Sequence, residues 1–187
     1  MHKLSLFAAL ALLLALTSCA TMQPAPLPAL KEIMAPRCVP GTKISIPADW
    51  ERASEATERK IFEFIVHKIK VERRTLCAAY APVGAKDLPV LAVLRAENSA
   101  DIRFLDLVLS GSDVSSGSIK QESLKREQDF FRLKVRDTST NTVVVTQAFF
   151  SGGGVTVFCF ALPGKDETKY EPLADQVATA FRSAIIQ

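Results

Sequence analysis

Cysteine and histidine are the residue types with which this chain could do covalent or metal chemistry, and it holds four of the first and two of the second. The first cysteine has the clearest setting. A basic start at His2 and Lys3 leads into a run dominated by Leu and Ala from Leu4 to Leu16, which ends in Leu16-Thr17-Ser18-Cys19. Basic, apolar and small-residue zones in that order form a secretory signal. The run is too short for a hydrocarbon core that needs about 20 helical residues. Small side chains at Thr17 and Ser18 leave room for a peptidase at the bond before Cys19, whose thiol is a nucleophile able to accept diacylglycerol. Residues 1–18 are therefore expected to be a lipoprotein signal peptide. Cys19 is expected to carry diacylglycerol and a fatty acyl group, with no other cofactor, and to attach the chain to a membrane.

Cys38, Cys77 and Cys159 remain. Export leads to an oxidising compartment where disulfides persist, and three thiols permit one bridge. Cys159 sits in a strongly apolar stretch and reads as a small buried hydrophobe, which makes Cys38 and Cys77 the expected pair. His67 is the one histidine beyond the signal. A catalytic triad needs an imidazole that takes a proton, and Lys68, Lys70 and Arg73 around His67 oppose that. A zinc site needs spaced Cys or His ligands, and these residues have no such spacing. No catalytic or metal-ligating set is expected. Ser151-Gly152-Gly153-Gly154 has the glycines of a phosphate loop, but such a loop feeds a helix N-terminus. Here an apolar, β-branched run follows.

Lys120, Lys125, Arg126, Arg132, Lys134 and Arg136 make one stretch locally basic, with Phe130 and Phe131 among them. Glu122, Glu127, Asp129 and Asp137 interleave, and the chain carries 23 Lys and Arg against 20 Asp and Glu. So slight an excess gives no reason to expect nucleic acid. Arg132, Lys134 and Arg136 alternate with Phe131, Leu133 and Val135, which predicts a half-buried strand with its cations in solvent. That cationic face is the candidate interaction surface, for an acidic protein partner or anionic lipid. Alanine at Arg132 or Lys134 is expected to move stability by no more than about 0.5 kcal/mol.

Positioning these residues falls to one domain over 38–187. Residues 19–37, with Pro24, Pro26, Pro28 and Pro36, read as the lipidated cysteine and a semi-rigid tether. A short strand over 42–47 is stopped by Pro47, and Trp50 plugs one end of the core. Ala53, Ala56, Ile61, Phe64, Ile65 and Ile69 have helical spacing, which predicts a helix over 52–74, although 62–71 would also suit a strand. Glu51, Glu55 and Glu58 favour the dipole at its start. Strands follow over 76–81 and 90–95, then a short helix over 100–109 capped by Asn98 or Ser99, and a loop over 110–118. Strands over 142–150 and 155–162 are apolar on both faces and so belong at the sheet's centre, joined tightly through 151–154. A last helix from about Pro172 presents Leu173, Val177, Ala180, Phe181 and Ala184 to Phe158, Phe160 and Leu162. The fold class expected is α+β, an antiparallel sheet flanked by helices.

A strand ending in "ISIPADW", the meander over 129–162, "FALPG" and a closing amphipathic helix to "FRSAIIQ" give this order of elements a likeness. It resembles the PsbP-like α/β/α sandwich, and in particular lipoproteins of the DcrB type, by pattern across 42–187. The resemblance implies a sheet between helices and accessory, scaffolding or partner-binding roles, with no shared catalytic residues. The function expected is a non-catalytic envelope lipoprotein, an accessory or partner-binding subunit of an envelope assembly. The alternative is a periplasmic-side binder of a small or lipidic ligand. Ala20 and Thr21 follow Cys19 with no Asp, which points to the outer membrane of a two-membrane cell, facing the periplasm.

Overall fold

Runs rich in Val, Phe and Thr dominate the second half of the chain, and β-branched and aromatic side chains suit a pleated surface. The computed structural model describes residues 26–39, 43–64, 76–85, 87–96, 113–151 and 154–185. Its elements, in chain order, are β1 (Leu30–Met34), β2 (Lys43–Pro47), β3 (Trp50–Arg52), α1 (Glu55–Phe64), β4 (Leu76–Pro82) and β5 (Val90–Ala96). Then come β6 (Ile119–Arg126), β7 (Phe130–Asp137), β8 (Thr142–Ser151), β9 (Gly154–Pro163) and α2 (Glu167–Ile185). Among the described residues, one antiparallel sheet has the order β3-β4-β5-β9-β8-β7-β6, and β1 pairs with β2 in a separate ribbon. This is the expected α+β class, with β9 and β8 at the centre.

One face of the sheet meets α2. Phe158, Phe160 and Leu162 of β9 alternate onto that face and pack with Leu173, Ala174, Val177, Ala178 and Phe181, as the apolar pattern predicts. Phe149, Phe158 and Phe181 form a triangle with ring centroids 4.8 to 5.9 Å apart. Trp50 is 1 % exposed and its ring lies 5.4 Å from that of Phe160, so it closes this core from the start of β3. Ile44 and Ile46 of β2 join the same core. The opposite face gathers Ala92, Leu94, Phe131, Leu133, Val155 and Val157, with Ile61 of α1 against it.

Three expectations change. Pro172 is inside α2, which starts at Glu167 behind a 3-10 turn over Gly164–Asp166. The start is set by Gly164, whose N–H donates to Asn141 O at 2.7 Å; a Cβ there would stand 2.8 Å from that oxygen. The buried stripe is rotated too: Ala174 and Ala178 are buried, whereas Ala180 is half-buried and Ala184 exposed. Finally, the tether expected over 19–37 is overtaken by β1. Leu30 to Met34 pair with Pro47 to Lys43, and Leu30, Ile33 and Ala35 pack on the core. Those apolar side chains gain more by leaving water than a spacer between two prolines gains by staying extended. The signal, Cys19, residues 65–75 with His67, and the helix expected over 100–109 lie outside the described residues.

Candidate functional site

The cations expected in solvent are covered. Successive same-face residues of a strand stand about 6.8 Å apart, and every fourth residue of a helix rises about 6 Å. Arg132, Lys134 and Arg136 on β7 therefore stay nearly in step with Glu167, Glu171 and Asp175 on α2. Arg132 donates from Nε to Asp175 Oδ1 at 2.8 Å and from a terminal nitrogen to Glu171 Oε1 at 2.6 Å. Lys134 Nζ reaches Glu171 Oε2 at 2.9 Å and Glu122 Oε2 at 3.3 Å, and also pairs with Glu167. Arg136 bonds Glu167 and Glu122, which ties edge strand β6 into the ladder. Gln147, buried beside it on β8, donates to Asp175 Oδ1 at 2.7 Å. A second ionic group lies at the C-terminal end of α2, where Arg182 pairs with Glu127 at 2.7 Å and Asp129 at 2.8 Å and sits over the Phe130 ring.

The ladder sets the charge states of its members. Burial works against the charge of Lys134, whose side chain is 14 % exposed, but hydrogen bonds to Glu167 and Glu171 outweigh it and raise its pKa. Hydrogen bonds from Lys134 and Arg136 hold Glu167 below its usual value. Burial opposes ionisation of Glu171, and hydrogen bonds from Arg132 and Lys134 overcome that and lower its pKa as well. Lys134, Glu167 and Glu171 are thus held in their charged forms near neutrality, so none of these three is poised to exchange a proton there.

Across α2 from the buried core, the helix borders an open groove of about 500 Å³ walled by Leu27, Leu30, Pro172 and Ala180, with Asp175, Gln176 and Thr179 along it. Leu27 is 43 % exposed. Its segment is held in place by Ala48 N–H, which donates to Ala29 O at 2.8 Å. Asp175 belongs to both features, so the groove's carboxylate is already answered by Arg132 and Gln147.

With this geometry in place, the chain is similar to a solved structure, that of cyanobacterial PsbP (CyanoP) from Synechocystis sp. PCC 6803. The TM-score is 0.50 at 14% sequence identity, over 87% of this chain and 97% of that one. The fold is PsbP-like. No protein-family model matches the chain, and no curated protein matches it.

Within this PsbP-like fold the residues singled out by sequence are spread apart. Cys38 and Cys77 are joined, with Cα atoms 6.0 Å apart, and this fastens the segment after β1 to β4. Cys159 is free in β9; burial pushes its thiol up to about 11, with the Thr146 hydroxyl 3.7 Å from the sulfur. Arg132, Lys134 and Arg136 are together but face carboxylates of the same chain, which corrects their reading as a solvated interaction face. The signal for this was present: Glu167, Glu171 and Asp175 repeat at i, i+4 and i+8 against cations at i, i+2 and i+4. The groove had no signal of its own, because its walls come from a segment read as tether and from the outer side of α2. Among the described residues no cluster of His, Cys, Asp and Glu could hold a metal ion, and no helix is long and apolar enough to cross a membrane.

Proposed function

We propose that this protein is a non-catalytic envelope lipoprotein of the DcrB type, anchored through lipid on Cys19 and displaying its PsbP-like domain as an accessory, partner-binding unit. The observation that carries this is the ladder. The chemically capable side chains of β7 and α2 are engaged with one another, so what they do is hold the domain together. The basic, apolar and small-residue order ahead of Cys19 supports the anchor, and Ala20 and Thr21 after it support the outer membrane, facing the periplasm. A second reading, a binder of a lipidic ligand, is favoured by the apolar walls of the groove.

Replacing Cys19 tests the anchor. Cys19→Ala is expected to leave unprocessed precursor without lipid, no longer fractionating with membranes, whereas wild type bands with outer-membrane markers on a density gradient. A Cys19→Ala protein that stays as firmly bound as wild type would defeat the reading. For the role, photocrosslinkers on the mature chain in its own membranes should give one discrete adduct of reproducible mass. Co-purification of a stoichiometric lipid instead would favour the ligand reading.

A further inference from the structure

The position of β1 shortens the leash. Leu27 comes only eight positions after Cys19, and at most about 3.3–3.6 Å per residue that stretch spans no more than roughly 29 Å. That is close to the length of α2 itself, whose 19 residues extend for about 28 Å. If the lipid is on Cys19, the Leu27 wall of the groove cannot stand farther from the bilayer surface than about the length of α2. We propose that the groove between Leu27, Leu30 and the outer side of α2 is a membrane-contact surface, seated on the phospholipid interface with Leu27 entering it. This rests on the anchored-lipoprotein reading.

Three features fit that occupant. The groove is open rather than enclosed and walled by Leu27, Leu30, Pro172 and Ala180, the kind of apolar surface that gains by lying in the headgroup and acyl boundary. The carboxylates on this helix, Glu167, Glu171 and Asp175, are matched by the β7 cations, so they do not repel an anionic surface as bare charges would. Lys165 and Lys169 are exposed at the same end of the helix as Pro172, where anionic headgroups attract them.

The test uses the mature full chain, anchored through Cys19 to vesicles of phosphatidylethanolamine and phosphatidylglycerol, with an environment-sensitive fluorescent amino acid at Thr179. The same probe at Glu63, on α1 across the sheet, serves as control. The expected result is a blue shift and quenching by spin-labelled lipid at Thr179, neither at Glu63, and loss of both effects in Leu27→Asp. No shift at Thr179, or equal shifts at both sites, overturns the proposal. So does a Thr179 shift produced in full by a soluble fatty acid without vesicles, which would assign the groove to a free ligand. Mass spectrometry of the natural protein separates the two readings. A Cys19 without lipid counts against the anchor alone, and the same chain coupled to a maleimide phospholipid then carries the groove test.

Discussion

Lys134 shows how far one side chain's setting depends on residues remote in sequence. It has three carboxylates within reach, from Glu122, Glu167 and Glu171, and a side chain 14 % exposed. Breaking a fully buried pair by removing one partner costs about 3–5 kcal/mol, and the solvent that still reaches this ladder screens part of that. Lys134→Ala is therefore expected to destabilise by about 1–3 kcal/mol in urea melts. Lys120→Ala, exposed on β6, should stay within about 0.5 kcal/mol. A double-mutant cycle of Lys134→Ala with Glu171→Ala should show coupling of about 1 kcal/mol. A Lys134→Ala midpoint equal to wild type would mean the cations face solvent after all, as their alternation along β7 suggests by itself.

At the scale of elements, α2 is held on the sheet by two kinds of force that respond differently to solvent. Phe181 packs at 4.8 Å on Phe158 and 5.1 Å on Phe149, and Phe181→Ala is expected to cost about 3–5 kcal/mol. That loss should be nearly the same at every pH. The ladder, by contrast, titrates. Glu167 and Glu171 have folded pKa values below their unfolded ones, so their stabilisation is complete above the unfolded value of about 4.3. It is lost as pH falls through the lowered folded values. Lys134 is raised, so its share is complete below about 10.4 and is lost as pH rises through the folded value. The urea midpoint should therefore be flat between about pH 5 and 8 and fall on both sides, the alkaline fall beginning with the buried Cys159 thiol, whose pKa is raised, and with Glu171→Gln weakening the acid limb. The central strands and the docking of α2 were legible because β-branched runs and the Leu173, Val177, Phe181 spacing each signal a buried face locally. The cationic side of β7 was not, since alternating charge looks the same whether water or a row of carboxylates covers it. β6 was missed for a related reason: Ile119, Gln121 and Leu124 give an edge strand no sustained alternation, and a register shift between Gln121 and Ser123 breaks what there is.

For the molecule as a whole, the open question is where the folded body begins, and β1 moves that boundary toward the anchor. Leu30 and Ile33 face the core that also holds Ile44, Ile46 and Trp50, and β1 pairs with β2 along its full length from Leu30 to Met34. β2 has no other strand partner among the described residues. A chain beginning at residue 38, where the sequence alone would start the domain, lacks this cover. It leaves the backbone of β2 unpaired and the Ile44 and Ile46 side of the core open to water. Full burial of a Leu or Ile side chain is worth roughly 1.5–3 kcal/mol, and Leu30 and Ile33 are partly buried, so their joint removal should cost about 2–4 kcal/mol. A chain beginning at residue 26 should match the full mature protein in its urea midpoint, while one beginning at 38 should unfold at distinctly lower urea. Equal midpoints for the two truncated chains would return 30–37 to the tether, lengthen the leash, and release the groove from the membrane surface.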